Sequence, residues 1–129
     1  MARVLALVPD LLFGSRLQGA LTAAGQEVEL IGDEDRLRDR LTDADAETDP
    51  PPPAVLIVDL TDHDLHGASI LESLSQQGLL EGIRTLGFYS HVDADTRERA
   101  EQAGFDQVVP RSRMARESGE LVTRLAATV

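Results

Sequence analysis

Five strand-length apolar runs, each followed by a segment of helical period, constrain this chain more than any other feature. The runs are RVLALV (3–8), EVELI (27–31), AVLIVD (54–59), IRTLGFY (83–89) and the run from Phe105 to Val109. Between them, Leu11–Ala24 carries apolar residues at helical spacing and ends before Gly25, a left-handed cap. A short helix follows Asp33, a good N-cap, towards Leu41. A third spans Ala68–Gln77 with Ile70, Leu71 and Leu74 on one stripe. Asp93–Ala103 closes at Gly104, and Met114–Ala127 brings Leu121, Val122 and Leu125 to pack, with Gly119 weakening its middle. Most of the strands lack clean alternation, so they are expected to be buried on both faces. That requires helices on both sides of an open, largely parallel sheet. Ligands and chemistry in such sheets sit beyond the carboxyl ends of the strands.

The third run ends in an ionisable group, Asp59. A buried carboxylate needs a partner or a raised pKa, so Asp59 marks a strand end that reaches water or a site. The absence of cysteine removes thiolate nucleophiles, disulfides and cysteine-based metal sites. All twelve basic residues are arginine, which excludes any lysine-dependent mechanism, including the P-loop. Gly14 stands alone in the first strand–helix turn, PDLLFGS, which lacks the glycines of a dinucleotide site. The net charge of -11 opposes binding to polyanions, and the arginines of 84–124 have no aromatic platform, so nucleic acid is not an expected partner. Pro9 and Asp10 cut short the N-terminal apolar run, which fits neither a membrane span nor a signal peptide; a cytoplasmic location is expected. The acidic, proline-rich stretch at 42–53 reads as an exposed loop within one domain covering 1–129. The segment DLTDHDLH (59–66), with His91 nearby, contains imidazoles and carboxylates suited to metal binding. Its loop spacing points instead to a polar connection in which an Asp or Thr caps the third helix. Three Phe and one Tyr leave few stacking groups for a flavin.

The stretch YSHVDADTRERAEQAGFDQVVPRS (89–112), together with the strand ending at Asp59 and GASILESL (67–74), resembles the receiver domain of bacterial two-component response regulators. The match covers nearly the whole chain, and the separations from Asp59 to Gly104 and from Gly104 to Arg111 fit without gaps. The resemblance implies a flavodoxin-like, three-layer α/β/α fold with a five-stranded parallel sheet of order 2-1-3-4-5. It also implies that Asp59 occupies the place of the phosphoryl acceptor. Val8 and Pro9 fall where two metal-holding acids belong, and Asp10 comes one place late. Tyr89 falls at the position of a Thr or Ser hydroxyl, with Ser90 next to it; Arg111 replaces a lysine, and Val108 replaces the switch aromatic.

These departures lead to the expectation of a pseudo-receiver. It would be a regulatory protein-interaction module in signal transduction, not an enzyme, with no catalytic residue, metal or cofactor. Its degenerate pocket would comprise Asp59, Asp10, Ser90, Tyr89 and Arg111, with Arg111 closing on Asp59 as a permanent ion pair. One alternative is an active single-domain response regulator phosphorylated on Asp59, with Mg²⁺ held by Asp10 and Asp59 and the phosphoryl group met by Ser90 and Arg111. Another is a small metal- or flavin-binding α/β enzyme. The expected partner is another signalling protein or domain, or a second copy docked through the fourth helix, fifth strand and fifth helix. Arg97, Arg99, Arg113 and Arg116 would then form an interaction face against acids such as Asp93, Asp95, Glu98, Glu101 and Asp106 of that copy.

Overall fold

Val55, Leu56, Ile57, Val58 and Asp59 are all buried, so the third strand faces core on both sides of the sheet. The structure, a computed structural model, describes residues 3–42 and 53–127. The elements are β1 (Arg3–Leu7), α1 (Leu11–Ala23), β2 (Glu27–Ile31), α2 (Glu34–Thr42), β3 (Val55–Asp59), α3 (Gly67–Gln76), β4 (Arg84–Tyr89), α4 (Ala94–Ala103), β5 (Gln107–Pro110) and α5 (Arg111–Ala127). Every pairing is parallel and the order is β2-β1-β3-β4-β5, the layer plan and strand order expected from the sequence.

Side chains alternate across each strand and so feed two cores. Val55 and Ile57 join Phe13, Leu17 and Leu21 of α1 and Met114, Leu121 and Val122 of α5. Leu56 and Val58 join Leu37 and Leu41 of α2, Ile70, Leu71 and Leu74 of α3, and Ala100 of α4. Each such aliphatic side chain stabilises the fold by about 1.5–3 kcal/mol on burial. The central strands β1, β3 and β4 are therefore covered on both faces, whereas β2 and β5 at the sheet's edges are partly exposed.

Several boundaries differ from the sequence expectation. Phe105 and Asp106 precede β5 because Asp106 pairs by side chain: its Oδ2 accepts from the Thr85 N–H at 2.8 Å, and its own N–H donates to Thr85 Oγ1 at 3.0 Å. Helix α5 begins at Arg111, three residues earlier than expected, directly after Pro110. It is kinked at Glu117 (φ -125°, ψ 18°). Gly119 lies where a Cβ would come within 2.9 Å of the Ala24 Cβ, so glycine there permits close approach of α5 to the end of α1. The expected Asp or Thr cap of α3 is absent. Asp62 instead accepts from the Asp64 N–H and caps a 3₁₀ turn at His63–Leu65, and α3 follows His66, which is left-handed (φ 56°) and gives no side-chain cap. The acidic, proline-rich loop expected at 42–53 lies outside the described residues, apart from Thr42 and Pro53. Among the described residues, no helix is long and apolar enough to cross a membrane.

Leu60, the residue after β3, is wedged between two glycines. A Cβ at Gly67 would approach Leu60 Cδ2 to 2.9 Å and Val58 Cγ1 to 2.7 Å; one at Gly87 would approach Leu60 Cδ1 to 2.7 Å. Gly87→Ala is therefore expected to destabilise the protein by about 1–3 kcal/mol through overpacking. Gly32→Ala, whose Cβ would meet nothing within 4 Å, should cause no loss. Urea unfolding of the two variants checks this; equal midpoints would show that Leu60 repacks freely.

Candidate functional site

The parallel sheet carries the carboxyl ends of β1, β3, β4 and β5 to one edge, and with them Asp10, Asp59, Ser90 and Arg111. Asp59 is 2% exposed. Its Oδ1 accepts from the Thr61 N–H at 2.8 Å and the Thr61 hydroxyl at 2.5 Å. This is a turn of the kind an Asp side chain makes with backbone two residues on. Burial pushes the Asp59 carboxyl above its ordinary range. The Thr61 hydroxyl, the Thr61 N–H and the charge of Arg111 oppose that shift, and Asp62 adds to it.

Asp10 is the N-cap of α1. Its Oδ1 accepts from the N–H groups of Leu12 at 3.0 Å and Phe13 at 3.2 Å, and its Oδ2 accepts from Arg111 Nη2 at 3.3 Å. The Phe13 bond foremost holds this carboxyl below its ordinary range; desolvation opposes it, and Leu12 and Arg111 add to the lowering. The Arg111 guanidinium also lies 4.4 Å from the centroid of the Phe13 ring, which rests at 4.9 Å against Phe88.

The expected Arg111–Asp59 ion pair is thus corrected to Arg111–Asp10. Arg111 opens α5 and stacks on an aromatic of α1, which directs its fork to the N-cap of that helix. Ser90 is half-buried and lines a cavity with Arg111. Tyr89 is not brought to the pocket: it is buried in the core on the α3 and α4 side. Val8 belongs to the opposite core, and Pro9 lines the Asp59 pocket. Thr61, the residue that holds Asp59, was not singled out from the sequence, although an Asp two residues before a Thr carries the turn signal.

Asp10, Asp59, Asp62, Asp64 and His63 line one pocket of about 520 Å³. Their present arrangement does not fit a divalent ion. Both Asp10 oxygens are engaged, Asp62 Oδ1 accepts from the Asp64 N–H, and no group of three or more His, Asp or Glu among the described residues is placed to hold a metal. His63 and His66 line a separate cavity with Asp62 and Asp95, and His91 does not join them. His63 lies 3.5 Å from Asp93, and His91 lines the cavity that holds Arg111.

The proposed interaction face is engaged within the chain. Arg99 grips Glu72 with both terminal nitrogens at 3.0 and 2.5 Å, Arg97 lies 3.6 Å from Glu101, and Arg113 and Arg116 both approach Glu117. Asp106 is likewise held by Thr85 and Arg84. A second copy would have to exchange these pairs.

The raised pKa of Asp59 has a definite sign in stability. Between its unfolded and folded values the native state binds more protons, so stability falls as pH rises through that window. Asp59→Asn keeps an acceptor for Thr61 and removes the buried charge. It is expected to raise Tm at pH 7, with the gain shrinking as pH falls below the folded pKa towards the ordinary carboxylate range. Thermal unfolding across that pH series checks it, and an unchanged Tm throughout would show that the Thr61 bonds fully offset burial.

No family model matches the chain, and no curated protein matches it. Solved structures do. A putative response regulator from Chloroflexus aurantiacus superposes with a TM-score of 0.83 at 17% identity, covering 98% of each chain. The chemotaxis response regulator CheY4 of Vibrio cholerae gives 0.78 at 17%, covering 97% of this chain and 98% of that one. The cyanobacterial phytochrome response regulator RcpA, solved in its phosphorylated form, gives 0.74 at 13%, covering 96% and 90%. That last structure corrects the expectation that the chain is not an enzyme: a protein of the same fold is found carrying a phosphoryl group. With five parallel strands in the order β2-β1-β3-β4-β5 and helices on both faces, this chain has the response-regulator receiver fold.

Proposed function

We propose that this chain is a signalling receiver that accepts a phosphoryl group on Asp59. The observation that carries the reading is the placement of Asp59. It is a buried carboxylate at the carboxyl end of a central strand, lining a pocket at the solvent-facing edge, with one oxygen held by two Thr61 donors. Both Thr61 bonds fall on Oδ1, and Oδ2 is the oxygen that in this reading meets the incoming phosphorus. The phosphorylated state of RcpA, on the same fold, supports phosphoryl acceptance as the activity.

In the transfer, an Asp59 oxygen lone pair forms a bond to phosphorus. The bond from phosphorus to the donor's leaving atom breaks, and its electron pair departs with the donor. The product is an acyl phosphate on Asp59. The carboxylate is the attacking form, and its poor hydration inside the sheet edge leaves its lone pairs less occupied by water. Arg111, close enough for its charge to lower the Asp59 pKa, places a cation beside the phosphoryl oxygens.

The new group adds about -1.5 to -2 charge at neutral pH. It then competes with Asp10 for Arg111, the residue that joins the start of α1 to the start of α5. A change in that contact is a means of signalling to another protein or domain that reads the α1 and α5 ends.

The test is intact mass after incubation with acetyl phosphate, with and without Mg²⁺. The expected product carries one added HPO₃, absent in Asp59→Asn. Arg111→Ala is expected to slow its formation about 100-fold. A wild-type chain that gains no such mass under any divalent-ion condition overturns the reading and leaves a module that works by protein contact alone.

A further inference from the structure

Beside the Asp59 pocket, across Thr61, lies a second cavity of about 410 Å³ with the opposite chemistry. Its polar wall consists of Arg16, Arg111, His91, Ser90, Ser112 and Thr61, and no carboxylate lines it. That is unexpected in a chain with 23 acids and a net charge of -11. Arg16 stands one helical turn beyond Phe13 on α1, so the two share a face, and among the described residues it makes no ion pair. Arg111 is held by its stack on Phe13, which also lines the cavity, and by its contact with Asp10.

We propose that this cavity binds a small phosphorylated organic anion, its phosphate met by the guanidinium groups of Arg16 and Arg111. Planar forks of this kind match phosphate oxygens and make charge-assisted hydrogen bonds. Ser90 and Ser112 supply further donors for the same group. The volume exceeds the needs of inorganic phosphate and falls in the range of small-molecule sites, about 300–1,000 Å³. Phe13 and Ala115 give the organic portion an apolar wall. The overall negative charge does not forbid such a ligand. Exposed charges farther away than about 8 Å are largely screened at physiological salt, whereas contact with two guanidinium groups is not.

Occupancy of this cavity does not require transfer to Asp59, so it is tested with acetonylphosphonate, whose carbon–phosphorus bond cannot be transferred. In a ¹H–¹⁵N NMR titration of the full chain, saturable shifts are expected at Arg16, Ser90, His91 and Ser112. Arg16→Gln should weaken binding about tenfold or more, the scale of one charge-assisted hydrogen bond. Arg97→Gln makes the same charge change on α4 and should leave affinity unaltered. In Asp59→Asn, where no acyl phosphate forms, binding should persist, which separates this site from the phosphoryl-acceptor reading. Absence of saturation up to about 10 mM overturns the proposal. So does equal weakening by Arg16→Gln and Arg97→Gln, or shifts confined to 59–66.

Discussion

The rest of the structure depends on burial of the central strands on both faces. Val55 to Val58 are fully covered, as are Val4 to Leu7 of β1, and both faces of the sheet must therefore be occupied by helices. Parallel pairing supplies those helices as crossovers and sends every strand's carboxyl end to the same edge. A charged group cannot be placed in the middle of such a sheet without losing its hydration, so the charged residues of the strands sit at strand ends, as Arg3, Arg84 and Asp59 do, or on the edge strand, as Glu27 and Glu29 do. Asp59 sits at the limit of this rule, still buried but on the last residue of its strand.

Charge at that edge is sorted into two adjoining spaces. Asp59, Asp62 and Asp64 share one with Asp10, whereas Arg16, Arg111 and His91 share the other. Thr61 lines both, and the Asp10–Arg111 contact spans the line between them. The arrangement places a cation near Asp59 without neutralising it: Arg111 lowers the Asp59 pKa by its field, yet burial still dominates. A buried carboxylate whose nearby cation pairs with another acid, here Asp10, differs from a closed ion pair with that cation.

Much of the architecture was legible because it follows from local pattern. EVELI alternates and became the edge strand β2, whereas AVLIVD does not alternate and became the fully covered β3. Asp33 and Asp93 cap the helices their sequence positions suggested, through the N–H groups of Arg36 and Thr96. The start of α5 was misjudged because Arg111, Ser112 and Arg113 carry no apolar stripe, and their helical state shows no hydrophobic period. Thr61 was overlooked because a two-residue side-chain turn has the same composition as any polar loop. The partner of Arg111 was misassigned because proximity in a fold template says nothing of which of two carboxylates a long side chain will choose.

From the sequence alone came the alternation of strands and helices, the coverage of both sheet faces, the exclusion of thiol and lysine chemistry, and the position of Asp59 at a strand's end. These follow from side-chain period and residue type, which are local properties. Tertiary structure decided which acid pairs with Arg111, that Tyr89 turns into the core, and that Arg16 and Arg111 share one carboxylate-free cavity. The Arg111 pair and the shared cavity depend on contacts between residues about a hundred positions apart, such as Asp10 and Arg111, whose energies exist only once α1 and α5 are packed side by side; Tyr89 depends likewise on α3 and α4 closing over the sheet.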